Sequence, residues 1–208
     1  MWGIRRGRLA AVGVVVAALG VAGAAVGSSL RAEGIAPGPD RAAIQDAVQA
    51  SKAPTRTARV HKAIPVRISI PAIGVNARII PLGLNRDRTV EVPKNFAETG
   101  WFRPGPEPGE QGAAVILGHV NSRSGPAVFS RLRELRVGAV ISVRLQDGST
   151  VKFVARSMLR VPKNRFPTKL VYARTRQPTL RLITCAGPLN WATGHHPDNY
   201  IVFATVAR

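Results

Sequence analysis

The feature that most constrains the fold is a series of short apolar runs that begins near Ile64. Each run is rich in Val, Ile, Leu or Thr and is bounded by Gly, Pro, Asn or Asp, a pattern typical of β-strands. About eight such runs with very little helix predict an all-β fold, an eight-stranded closed or nearly closed barrel with short helices, rather than an α/β sheet. The predicted strands are Val66–Ile70, Ala77–Ile80, Thr89–Val92, Ala113–Leu117, Ala139–Leu145, Thr150–Val154, Thr179–Cys185 and Tyr200–Val206.

Two local patterns refine this prediction. Asp147-Gly148 is a favoured turn pair, so the runs on either side of it are expected to form a hairpin whose second strand continues toward Val161. Val128, Leu132 and Leu135 have helical spacing and predict one or two helical turns. The segment Leu170–Tyr172 is too short to assign to either structure.

The sequence before the barrel divides into two parts. In residues 1–31, three arginines within the first eight residues precede an uncharged run, Leu9–Val26, which is long enough to span a bilayer. Arginines before such a run predict a cytoplasmic N-terminus and an exported body, attached to the membrane through residues 9–30 as a single-pass anchor. The alternative is a signal peptide cleaved near Ala22-Gly23-Ala24. Residues 32–63 read as an extracytoplasmic spacer with one short helix, and residues 64–208 form the barrel domain.

The charge of the chain limits the classes of binding partner that are expected. The formal net charge is +19, from 30 Lys and Arg against 11 Asp and Glu, and the arginines are scattered. A cationic surface of this kind suits anionic lipids or wall polymers as well as simple solubility. Nucleic acid is not expected, because the sequence has no zinc-finger, RNP-like or basic-helix motif. The four histidines and the carboxylates are too dispersed to predict a metal site, and no cofactor is expected.

Cys185 is the only cysteine, so the chain has no internal disulfide. An unpaired cysteine in an exported protein indicates a reactive thiol or an intermolecular bridge. Cys185 ends one apolar strand and His119 follows another, so adjacent strands would bring thiol and imidazole together. Such a pair performs acyl transfer, because the thiolate attacks a carbonyl carbon and the imidazole protonates the leaving amine. An unperturbed thiol is mostly protonated at neutral pH, so a nearby cation is also expected.

These motifs resemble those of sortases. Thr179–Cys185 is similar to the sortase cysteine strand, whose core is Thr-Leu-x-Thr-Cys, and Leu117–Val120 is similar to the end of the sortase histidine strand. Ile68–Val75 resembles the opening strand and turn. The similarity covers roughly residues 64–207, and the finer patterns Gly118–Phe129 and Gly194–Tyr200 look most like class F sortases of actinobacteria.

The resemblance implies a sortase-type barrel and a membrane-tethered cysteine transpeptidase with its catalytic domain outside the cell. Its substrate would be a sorting signal of the Leu-Pro-x-Thr-Gly (LPxTG) kind on a surface protein. By position, Cys185 matches the nucleophile that forms the thioacyl intermediate, and His119 matches the acid/base. The acceptor would be an amine of a peptidoglycan precursor.

The third catalytic group of sortases, an arginine about a dozen residues after the cysteine, has no counterpart here. That window reads His195–Tyr200 and contains Pro197. Its histidines are expected to be solvated, and the alternative is that His195 or His196 contributes a hydrogen-bond donor to the site. Arg181 is one candidate replacement, because residues four apart in a strand share a face. Arg123, in the loop after His119, is another, and a site with neither is the third alternative.

Two further expectations follow from the resemblance. Arg123 and Thr184 are predicted to contact the substrate. The absent arginine leaves open a second function, a catalytically weak sortase-like domain that binds sorting peptides or anionic wall polymer. L,D-transpeptidases also use an exported cysteine and histidine, but their Ser-x-Gly-Cys-Arg motif is missing around Cys185.

Overall fold

The computed structural model of the chain describes residues 64–190 and 192–207. Helical elements in this part are short, three 3-10 turns (Pro71–Ile73, Leu132–Glu134 and Lys163–Arg165) and one α-helical turn, α1 (Thr168–Val171). The strands are β1 (Pro65–Ile70), β2 (Val75–Leu82), β3 (Thr99–Phe102), β4 (Gly112–Gly118), β5 (Asn121–Ser122), β6 (Gly125–Pro126), β7 (Val140–Leu145), β8 (Thr150–Pro162), β9 (Pro178–Ala186) and β10 (Asp198–Val206).

Eight of these strands close into a barrel in the order β1-β2-β3-β4-β9-β10-β8-β7, and β5 and β6 form a separate small hairpin. The pairs β2–β3 and β4–β9 are parallel, and the other neighbours are antiparallel. The prediction of an all-β, eight-stranded closed barrel is therefore confirmed. The predicted membrane helix and the spacer helix lie outside the described residues. Among the described residues, no helix has the length and apolar character needed to cross a bilayer.

Strand β4 shows why an uninterrupted apolar run was needed at the centre of the fold. All seven of its residues are buried, because both of its faces pack against apolar side chains. Ala114 and Ile116 face the barrel interior, whereas Val115 and Leu117 join a second cluster on the outside. Strands with one face exposed to solvent show a different pattern. In β2, for example, buried and exposed residues alternate, so only about half of its side chains pack in the core.

One predicted strand is wrong. Thr89–Val92 forms only an isolated bridge, Leu84 to Val90, and the third barrel strand is β3. All four residues of β3 are buried, and Gly100 has no room for a side chain because a Cβ there would lie 2.1 Å from Leu82 Cδ1. Glu91 instead folds back so that its carboxylate accepts a hydrogen bond from the Gly83 N–H. The segment around Val128, Leu132 and Leu135, for which one or two helical turns were predicted, forms a single 3-10 turn, Leu132–Glu134.

Candidate active site

The parallel pairing of β4 with β9 places the two reactive side chains at one edge of the barrel. Leu117 pairs with Ile183, and both strands end shortly afterwards, so the residues that follow emerge side by side. His119 directly follows β4, and Cys185 is the penultimate residue of β9. Both line one cavity of about 250 Å³, as their positions in the sequence predicted.

His119 is held by contacts on two sides. Its Nε2 lies 2.7 Å from the carbonyl oxygen of Pro93, and since a carbonyl only accepts, Nε2 carries the proton. Its ring packs against Phe96, with the ring centroids 4.5 Å apart. In the neutral imidazole, Nδ1 is therefore the nitrogen free to accept a proton. The Pro93 carbonyl thus fixes a tautomer whose Nδ1 can act as a base.

Cys185 is a partly buried free thiol. Burial raises the pKa of this thiol, and the positive charge of Lys163 opposes that rise. Directly opposite Cys185 on β10 is Asn199, which is fully buried, and neither end of its amide has a hydrogen-bond partner within the described part of the chain. The environment therefore favours the protonated thiol, with Lys163 acting in the other direction.

Cys185 also lines a second cavity, of about 570 Å³. Thr184, Arg133 and Arg160 line it too, and the contact of Thr184 with substrate stays a prediction. Arg160 is bound to Asp198, whose Oδ2 accepts hydrogen bonds from Nε at 2.7 Å and from Nη2 at 2.6 Å. Cys185 therefore lines two cavities, one that also contains the imidazole of His119 and one that contains guanidinium groups.

His196 joins the loops that carry the two reactive residues. Its Nδ1 donates a hydrogen bond to the Gly187 carbonyl at 2.8 Å, and its Nε2 lies 3.0 Å from Oδ1 of Asn121. Gly187 follows the cysteine strand and Asn121 follows His119. His196 lines both cavities and is half-buried, so it is a structural cross-link of the site rather than the solvated loop residue expected from the sequence.

The structure does not bring Arg181 to the thiol. Its guanidinium carbon lies 4.8 Å from the centroid of the Phe203 ring, its Nη1 donates to the Leu180 carbonyl, and only 6% of the residue is exposed. Burial lowers the pKa of Arg181 to about 10. It shares a strand face with Cys185, as expected, but it lines neither of the two cavities that contain Cys185. The long side chain instead covers the aromatic ring of its cross-strand partner, Phe203.

Arg123 is also separate from the thiol. It lies in the exposed turn between β5 and β6, and it lines a different cavity of about 1300 Å³ together with Lys94 and Arg131. The short β5–β6 hairpin holds this turn away from Cys185, so Arg123 does not fold back over the thiol. Its predicted contact with substrate stays a prediction.

Comparison with known proteins identifies the barrel. Residues 68–207 match the family model of the sortase domain. The chain belongs to the sortase family. Sortases are cysteine transpeptidases, which agrees with the Cys185–His119 arrangement. The resemblance predicted from the sequence is confirmed at the level of the family, and the class F pattern stays a prediction.

Solved sortase structures share the fold. Sortase A from Corynebacterium diphtheriae is 22% identical with a TM-score of 0.54, over 70% of this chain and 61% of that one. Sortase C-1 from Actinomyces oris is also 22% identical with a TM-score of 0.54, over 82% of each chain. Sortase A from Listeria monocytogenes is 17% identical with a TM-score of 0.53, over 70% of this chain and 88% of that one. No curated protein matches the sequence.

Several residues of this sortase's site had no signal in the sequence. Lys163, Arg160 and Asn199 reach Cys185 only because β10 lies between β8 and β9 in the barrel. Pro93 reaches His119 from the long connection before β3. His196 carried a partial signal, since it lies in the window where a sortase arginine is expected.

Proposed function

We propose that this sortase is a membrane-tethered extracellular cysteine transpeptidase. It cleaves an LPxTG-type sorting signal through a thioacyl intermediate on Cys185 and transfers the acyl group to an amine of a peptidoglycan precursor. The observation that supports this most directly is the cavity shared by Cys185 and His119. The membrane tether is residues 9–30, with the N-terminus cytoplasmic and the barrel on the outer side.

The proposed reaction begins with a proton transfer. The Cys185 thiol gives its proton to Nδ1 of His119, and the resulting thiolate attacks the threonine carbonyl carbon of the signal. A carbon–sulfur bond forms and the carbonyl electron pair moves to oxygen. When this pair returns, the carbon–nitrogen bond breaks, and the departing glycine amine takes the proton from His119. The acceptor amine then attacks the thioester by the reverse sequence and releases Cys185.

In this proposal the two cavities bind different parts of the substrates. Because the imidazole must reach the nitrogen that leaves and the nitrogen that enters, we assign the amines to the cavity that contains His119. The acyl part of the signal then occupies the larger cavity, beside Thr184 and Arg160. A thioester on Cys185 would therefore keep its peptide in one cavity while amines exchange in the other.

The thiol itself provides the test. The full chain in membranes, or its exported body in detergent-free buffer, is incubated with an LPxTG peptide, and the thioacyl adduct is detected by mass spectrometry after acid quenching. We expect an adduct on Cys185, release of the glycine-containing fragment, and transfer when an amine is added. A peptide with the Leu-Pro-x-Thr-Gly order scrambled is the control. Absence of both adduct and cleavage would refute the transpeptidase proposal.

A second candidate function is supported by the environment of the thiol. Because burial raises the pKa of Cys185, the resting site contains less thiolate, as expected for a weak enzyme or a binding domain. A domain that only binds the sorting signal would retain the peptide with normal affinity after Cys185→Ala. The same domain would form no adduct as the unmodified protein, which distinguishes binding from transpeptidation.

A further inference from the structure

Two anions form at Cys185 during acyl transfer, first the thiolate and then the oxyanion of the tetrahedral intermediate. Neither is stable in a partly buried site without a positive charge or hydrogen-bond donors. The charged and titratable groups that line the two cavities with Cys185 come from several elements. They are His119 after β4, His195 and His196 in the β9–β10 loop, Lys163 after β8, and, in the second cavity, Arg133, Arg160 with its partner Asp198, and Tyr200 of β10.

The two arginines of the second cavity are poorly suited to this role. Arg160 is engaged by Asp198, which neutralises most of its charge, and 56% of its side chain is exposed, so water screens the rest. Arg133 lies on an exposed 3-10 turn. Of the histidines, His119 and His196 each already have a ring nitrogen bound to a main-chain carbonyl.

Lys163 combines three properties that none of the other groups has together. It is partly buried and lines the same cavity as Cys185 and His119. None of the ion pairs among residues 64–190 and 192–207 involves it, so its charge is not neutralised by a carboxylate. Its charge also acts on the thiol, lowering the pKa of Cys185 against the effect of burial.

The main chain fixes where Lys163 lies. It is the first residue of the 3-10 turn after β8, and its N–H donates a hydrogen bond to the Pro197 carbonyl at 3.0 Å. Pro197 lies just before β10, in the window where the sequence lacks the expected arginine. The end of β8 therefore places the cationic side chain of Lys163 next to Pro197, which has no charge.

We propose that Lys163 supplies the positive charge of the active site, stabilising the Cys185 thiolate and the oxyanion that follows it. This inference rests on the proposed function for the oxyanion, but its effect on the thiolate is independent of any substrate. The cation comes from the end of β8, one strand beyond β10. Lys163 thus takes the electrostatic role left open by Pro197.

The test measures the reactivity of the thiol without a peptide. The rate of Cys185 alkylation by iodoacetamide is followed from pH 6 to pH 10 in the unmodified chain, Lys163→Met, Lys163→Gln and Lys163→Arg. Removing one nearby charge is expected to lower the alkylation rate at pH 7 about five-fold, with the rates converging at high pH where every thiol is ionised. Lys163→Arg is expected to restore the rate because it keeps the charge.

A control variant separates the charge from structural effects. Lys169→Met removes an equal charge from the exposed face of α1 and is expected to leave the profile unchanged. Overlapping profiles for the unmodified chain and for folded Lys163→Met and Lys163→Gln would overturn the proposal. So would a shift in Lys169→Met that equals the shift in Lys163→Met.

Peptide turnover then separates this proposal from the proposed function. If LPxTG peptide is cleaved, Lys163→Met is expected to lower kcat/KM more than ten-fold, because both anions lose their cation. Lys163→Arg should recover most of that loss. If no LPxTG peptide is cleaved but the alkylation profile shifts as expected, the transpeptidase function fails while the electrostatic role of Lys163 holds.

Discussion

Gly118 is the position where a single methyl group should most directly disturb His119, the proposed general base. It is the last residue of β4 and directly precedes His119. A Cβ there would lie 2.6 Å from Phe129 Cδ2 and 2.8 Å from Val128 Cγ1, whereas carbon atoms pack without repulsion at about 3.5–4.0 Å. Gly118→Ala therefore requires a displacement of about 1 Å in a region where Phe129 is fully buried.

The neighbours that must move are the ones that hold His119. The Phe129 N–H donates to the His119 carbonyl at 2.9 Å, and the Val128 N–H donates to the carbonyl of Phe96, the residue stacked on the imidazole. Overpacking of this kind costs about 1–3 kcal/mol, which lowers the Tm of a domain this size by about 4–12 °C. A misplacement of about 1 Å at a catalytic group is expected to cost on the order of 100-fold in kcat/KM.

The assay combines thermal unfolding with cleavage of an LPxTG peptide at a temperature where the variant stays folded. Gly83→Ala is the matched control, because the nearest atom to a Cβ there is a flexible Glu91 carboxylate oxygen at 3.4 Å. Adding Phe129→Leu to Gly118→Ala should recover part of the loss by opening space. A Gly118→Ala variant with unchanged Tm and full activity would refute the reasoning.

Three further outcomes are expected. Cys185→Ala should abolish adduct formation while changing Tm by only a few degrees, and residual turnover in that variant would remove Cys185 as the nucleophile. Arg181→Met should retain near-normal turnover and stability within about 1 kcal/mol, because an apolar residue replaces a buried charge; a ten-fold activity loss in the folded variant would return Arg181 to the site. Asn199→Val should be as stable as the unmodified chain or more so, since its amide lacks partners in the described part, and a destabilisation above about 2 kcal/mol would contradict this.

The sequence was informative where local pattern and burial coincide. Seven of the eight barrel strands, the hairpin at Asp147-Gly148 and the placement of Cys185 and His119 at strand ends follow from apolar runs and turn residues. Strand β3 was missed because Thr99–Phe102 is short and contains a glycine, which weakens any strand pattern. Its place depends on the Leu82 side chain filling the space over Gly100, a contact that no local pattern encodes.

The cation of the site was missed for a different reason. The alternation of side chains along a strand correctly placed Arg181 on the same face as Cys185. That alternation does not say which neighbouring side chain the long guanidinium group will cover. The Phe203 ring next to Arg181 settled that. Lys163 is brought to the thiol by a strand order that runs β9-β10-β8, so its position depends on the closed barrel rather than on its neighbours in the sequence.

The parallel contact between β4 and β9 also has a consequence for folding kinetics. Four strands of the chain lie between these two partners, so the contact that creates the site is among the least local in the fold. Contacts of this kind form slowly, because loop closure must be completed before they stabilise the chain. Until then, Cys185 is an ordinary exposed thiol with no histidine beside it. We expect the emerging chain to be catalytically silent, so that recovery of activity during refolding reports the late closure of the barrel.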